Sequence, residues 1–285
     1  MSETGVITMK KLIIAAAAFA IALPMAIQAS PQSDLKKFRS YYNKKFPGVR
    51  LSDYADGSYA LNKTARSSWE AIMEFPPFEA EMEKAEKAWN TPFKNGKTYA
   101  SCFKNGGKGI AQNYPYYDPK KKMVKTVELE INECRKRNGE KPYKYKKGPL
   151  VLISAYIHAM AEGKKTNVKV RGRGALKAYN AGKKFFFTKR GQLNFSCANC
   201  HYDSAGLGIQ NANQTLSPAI GQTTHFPSYR HKWGKIGTLH RRYTGCNKNI
   251  RAKPQKAQGK RYRNLQYFHT YLSNGVALNA PGVRP

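Results

Sequence analysis

The sequence predicts a mainly α-helical protein made of two domains behind a cleaved leader. Three observations carry this expectation. Apolar residues recur at helical spacing in several separate segments. A basic, glycine-containing stretch at 164–174, poor in large apolar side chains, interrupts them as a linker would. After the leader at 1–29 is removed, about 256 residues remain, enough for two ordinary cores. The expected units are therefore 30–165 and 166–285.

The leader opens with the basic Met9-Lys10-Lys11, continues through an alanine-rich apolar run from Leu12 to Leu23, and exits through small residues from Pro24 to Ala29. Cleavage is expected after Ala29, with the true start at Met1 or Met9. The apolar run falls short of the roughly 20 residues a bilayer needs, and no longer one follows. The mature chain is thus expected to lack a membrane span and to be exported to the periplasm, where cysteines are oxidised.

Along the mature chain, Leu35 to Phe46 reads as an amphipathic helix. So does Trp69 to Trp89, where Trp69, Ile72, Met73, Met82, Ala85 and Trp89 keep the period and Pro76-Pro77 splits it. Leu129 to Arg137 is a shorter helix, and Pro149 to Glu162 an apolar one closed by Gly163. After the linker-like stretch, Ala175 to Lys189 resumes the helical pattern, with Tyr179, Phe185 and Phe186 as core candidates. The rest is rich in loops until a last helix at Tyr262 to Gly275.

Lys and Arg number 50 against 17 Asp and Glu, a net charge of +33 spread along the chain with no single basic tail. Nucleic acid is the first partner such a charge suggests, but an export leader argues against it. A positive field instead speeds encounter with acidic proteins and small anions.

Cys197-Ala198-Asn199-Cys200-His201 is a C-x-x-C-H motif, the attachment signature of a covalent c-type haem. Its two thiols form thioethers with the haem vinyl groups and the histidine binds the iron from one side. A thioredoxin-like C-x-x-C followed by a chance histidine and a zinc half-site are the competing readings, but no second C-x-x-C completes a zinc site and the chain carries an export leader. Three cysteines remain: Cys102, Cys134 and Cys246. Cys102 with Cys134 is the most economical of three pairings, which leaves Cys246 alone in the second domain.

The second axial ligand is the open question. All seven methionines precede the motif, so a local ligand comes from Cys246, His225, His231, His240 or His269. A bis-histidine electron carrier without chemistry of its own, or an open iron site, are the other readings.

The chain resembles the SoxA subunit of the SoxAX cytochromes, L-cysteine S-thiosulfotransferases of sulfur-oxidising bacteria, of the single-haem type. The resemblance lies in Phe195 to His201, Ser217-Pro218-Ala219-Ile220-Gly221-Gln222, Phe226-Pro227-Ser228-Tyr229-Arg230 and Gly237 to Asn247, and above all in His240-Arg241-Arg242 followed by Cys246. It implies two cytochrome c-like domains, the N-terminal one haem-free with a Cys102–Cys134 disulfide, the C-terminal one carrying one covalent haem c between His201 and Cys246. It further implies that Cys246 is the catalytic cysteine, found as a persulfide, and that Arg242 is the substrate-side residue, with Arg241 the alternative. The implied reaction joins thiosulfate to a cysteine of the SoxY carrier and passes two electrons through the haem to a SoxX-type cytochrome partner. A helix over this segment would put Arg242 and Cys246 on one face, although Gly245 weighs against one.

Overall fold

The computed structural model describes residues 30–209 and 211–284; the leader lies outside them. Helix α1 (Pro31–Lys45) starts where the Ser30 hydroxyl accepts from Ser33 N at 3.1 Å, with Pro31 in the first turn, where its missing N–H costs nothing. A run of 3₁₀ turns follows at Leu51–Leu61. Helices α2 (Lys63–Glu74) and α3 (Glu79–Asn90) are parted at Pro76-Pro77, as the sequence predicts. Short turns then lead to a hairpin of β1 (Tyr116–Asp118) and β2 (Met123–Lys125). Helix α4 (Val127–Arg137) is capped by Thr126, whose hydroxyl accepts from Leu129 N at 3.1 Å.

Helix α5 (Pro149–Ala159) buries Leu150, Val151, Ile153, Ala155 and Ile157, too many for one stripe, and so is wrapped by neighbours. It shares one core with Trp89, Phe93, Tyr99, Val127 and Ile131 and another with Tyr59, Trp69, Phe78 and Val283. Cys102 and Cys134 form a disulfide in the first of these, with 5.7 Å between their Cα atoms.

Helix α6 (Arg173–Phe187) crosses α8 (Lys260–Leu272) closely, and Gly182 is what permits it: a Cβ there would lie 2.0 Å from the Asn264 carbonyl oxygen. Between them come the β3 (Gly208–Ile209) and β4 (Asn211–Thr215) hairpin, β5 (Ser228–Arg230), β6 (Lys235–Gly237) and α7 (Leu239–Asn249). The last strand, β7 (Gly282–Arg284), lies parallel to β5, with β6 antiparallel on the other side. The core around α6 and α8 takes in Phe38 and Tyr42 of α1.

Two findings differ from the sequence reading. The stretch read as a linker is tied down: Thr166 N and Gly275 N bond to each other's strand through Val276 O and Thr166 O, and Val168 is fully buried. Helix α7 runs unbroken through Gly245, because Thr238 caps it and Leu239, His240, Tyr243 and Asn247 bury one face, outweighing about 1 kcal/mol of glycine cost.

Candidate functional site

The C-x-x-C-H motif sits at the turn that follows α6. Ser196 N and Oγ both donate to Asn199 Oδ1, and Asn199 N returns a bond to Ser196 Oγ at 3.2 Å, so the motif opens on a reciprocal cap. A turn of π-helix, Asn199–Asp203, then presents His201. The His201 Nδ1 lies 2.9 Å from the Ser217 carbonyl, which only accepts, so Nδ1 carries the proton and the other ring nitrogen is left as a ligand. Helix α1 holds the turn from behind. The Tyr42 hydroxyl donates to the His201 carbonyl, Tyr41 stacks on Tyr202 with ring centroids 3.9 Å apart, and Lys45 reaches the Asp203 carbonyl.

Across the cavity, α7 presents Arg242 and Cys246 one turn apart, and both line the space that Cys197, Cys200 and His201 line. His201 hydrogen-bonds the Cys246 thiol. Burial pushes this thiol up, but the Arg242 charge, the His201 bond and charge, and Arg230 together outweigh it and bring it down to about 7. By contrast, burial pushes Cys197 up to about 11 and Cys200 upward as well, with Arg190 and Arg242 respectively opposing. The other member of the basic pair points elsewhere: the Arg241 guanidinium lies over Trp233, 4.2 Å from its ring centre.

The four histidine candidates separate by place. His240 Nδ1 accepts from Gln258 N at 3.0 Å inside the core, and burial brings its ring down to about 3. His231 opens an exposed turn. His225 sits in a neighbouring pocket with Arg284. His269 lines the cavity, with Nδ1 2.9 Å from the Tyr243 hydroxyl. None of Met73, Met82, Met123 and Met160 lines it.

The cavity fits a haem. It has a volume of about 250 Å³ and is walled by Phe186, Leu239, Tyr243 and Leu265, and all three free cysteines open onto it. One buried polar atom of its lining, Asn247 Oδ1, has no protein partner. Cys197 and Cys200 would hold the group covalently, His201 and Cys246 from its two faces.

Sequence reasoning missed two residues beside this cavity. Arg230 and Arg284 are buried and, with Arg242 and His225, line a second pocket that shares His201 with the first. Arg230 stands in a segment that carries the family resemblance, but among 50 basic residues nothing in the sequence pairs it with Arg284.

A mainly helical chain with a C-x-x-C-H turn over an enclosed apolar cavity is a cytochrome c-type protein, and a family model described as SoxA/TsdA, cytochrome c domain, matches residues 84–166. That match covers the disulfide-bearing part of the chain, which has no C-x-x-C-H of its own. The L-cysteine S-thiosulfotransferase subunit SoxA of Chlorobaculum thiosulfatiphilum is 51% identical over 257 residues, which cover 90% of this chain and 89% of that protein. Its counterpart from Allochromatium vinosum is 46% identical over 258 residues, covering 90% and 91%. The crystal structure of SoxXA from P. pantotrophus aligns with a TM-score of 0.70 at 26% identity, covering 77% of this chain and 84% of that one. The chain belongs to the SoxA family of L-cysteine S-thiosulfotransferase subunits.

Proposed function

We propose that this chain is the catalytic, single-haem subunit of a thiosulfotransferase, with Cys246 as the sulfur-handling residue and Arg242 as the anion clamp. The observation that carries this is the pairing on α7: a thiol brought down to about 7 and a guanidinium one turn away, both facing His201 of the haem motif.

When bound, haem c supplies a one-electron couple that takes up electrons released at the thiol. Arg242 offers a planar fork of donors to the sulfonate end of thiosulfate, and so turns the terminal sulfur toward Cys246. The Cys246 sulfur bonds to that terminal sulfur with loss of two electrons. A thiolate of the SoxY carrier then attacks the same sulfur, and the Cys246 thiolate leaves. Summed over both steps, one thiol and one thiosulfate give a cysteine S-thiosulfonate, one proton and two electrons. The electrons pass to a SoxX-type cytochrome in a heterodimer.

The remaining parts of the proposal concern organisation. The unit at 30–165 is a haem-free cytochrome c-like domain in which the Cys102–Cys134 disulfide stands where a haem thiol pair is absent; the unit at 166–285 holds the one haem. The match of the family model to 84–166 supports the first statement. Packing of α1 onto α6 and α8 adds the N-terminal helix to the haem-bearing core. Among the described residues no helix is long and apolar enough to cross a membrane. Cys246→Ala tests the catalytic assignment: turnover of thiosulfate is expected to vanish while one haem per chain stays attached through Cys197 and Cys200. Retained turnover would refute it.

A further inference from the structure

Arg230 and Arg284 are register partners on the parallel strands β5 and β7, so their side chains share one face of the sheet. Like charges placed opposite each other on a sheet repel, and buried charges are costly unless compensated. Here both are buried and converge with Arg242 and His225 on one small pocket of about 70 Å³. Arg284 donates through Nη1 to the Val283 carbonyl at 2.7 Å, but its Nε and Nη2 have no partner. The Asp56 carboxylate acts on Arg284 but is bound by Arg66 at 2.6 Å, so it offsets little of this charge. Burial brings both buried guanidiniums down to about 10, leaving them charged at neutral pH.

The site is built rather than incidental. Gly57, at a φ of +64, presses its backbone on Arg284: a Cβ there would stand 3.2 Å from Nε and Nη2. The faces of Tyr59 and Trp69 lie beside the same guanidinium, with centres 5.1 and 5.7 Å away. These contacts fix the Arg284 guanidinium at the wall of the pocket.

We propose that Arg230, Arg284 and His225, with Arg242 at the shared wall, form an oxyanion pocket next to the haem cavity, filled either by the carboxylates of the haem or by the sulfonate end of thiosulfate. The pocket stands on charge and burial alone; its thiosulfate arm rests on the thiosulfotransferase reading.

The test uses the haem-loaded heterodimer carrying Arg284→Gln or Arg284→Lys. Three quantities are read: the haem midpoint potential, the KM and kcat for thiosulfate, and binding of inorganic sulfate as an unreactive probe by calorimetry. If thiosulfate fills the pocket, Arg284→Gln raises KM and weakens sulfate binding by about tenfold or more, with kcat and potential held, since a charge-assisted fork is lost. If haem carboxylates fill it, the potential falls, because a lost positive charge favours ferric iron, while KM holds. Arg284→Lys keeps the charge and loses the fork, and falls between. No change in any of the three in a folded, haem-loaded Arg284→Gln protein overturns the proposal. Should that variant fail to fold, Arg284→Lys and Gly57→Ala are read in the same assays, and a wild-type response from both overturns it. A failure of the Cys246 assignment shows separately, as thiosulfate turnover retained by Cys246→Ala.

Discussion

Tyr42 joins α1 to both strands of the haem-binding loop, and its removal has a calculable cost. The hydroxyl donates to the His201 carbonyl and accepts from Ala219 N at 3.0 Å, and burial pushes its ionisation up so that it remains a donor. Ala219 N also reaches His201 O at 2.9 Å. Tyr42→Phe therefore strands neither group, because each keeps the other. The expected loss is the net worth of one hydrogen bond, about 1 kcal/mol, below the upper end of the 1–3 kcal/mol that an orphaned buried donor costs. Tyr42→Ala also removes a ring packed against Phe38, Phe46, Tyr54 and Tyr202, and is expected to cost about 3–5 kcal/mol. Urea denaturation of the haem-loaded protein, followed by far-ultraviolet circular dichroism, measures both. A Phe variant as unstable as the Ala variant would show that the hydroxyl, and not the ring, holds α1 to the motif.

Three further outcomes are expected. Removing the Cys102–Cys134 bond with Cys102→Ala and Cys134→Ala reopens a separation of 32 residues and is expected to cost about 3.7 kcal/mol without moving the haem absorption bands; altered bands would tie the disulfide to the haem pocket. Gly182→Ala sets a methyl group against the Asn264 carbonyl and is expected to cost several kcal/mol in the same denaturation assay, about 3 or more; a change under about 1 would mean that α6 and α8 slide freely. Burial brings His240 down to about 3 in the fold, against about 6.5 unfolded. Protons thus favour the unfolded chain between these values. Stability is full above pH 6.5 and falls below it by about 1.4 kcal/mol per pH unit for this group, and His240→Gln should remove that much of the slope between pH 6 and 4.

Much of the fold is legible where local chemistry is strong. Pro76-Pro77 splits α2 from α3, and Pro149 after Gly148 starts α5, because proline's missing N–H and fixed φ act on neighbours alone. The C-x-x-C-H turn announces itself for the same reason. What stays hidden depends on distant partners. The 164–174 stretch reads as a linker because its bonds run to 274–278, more than a hundred residues away. Gly245 argues against a helix until the burial of Tyr243 and Asn247 is known. Arg230 and Arg284 become neighbours only when β7 returns beside β5, a pairing that nothing local in so basic a chain announces.

The most direct measurement of the central claim is low-temperature electron paramagnetic resonance of the ferric protein, with its absorption spectrum, before and after Cys246→Ala. A low-spin thiolate-ligated signal in the wild-type chain, lost on substitution, is the expected result. A bis-histidine, histidine–methionine or high-spin signal that is unchanged by Cys246→Ala would contradict it.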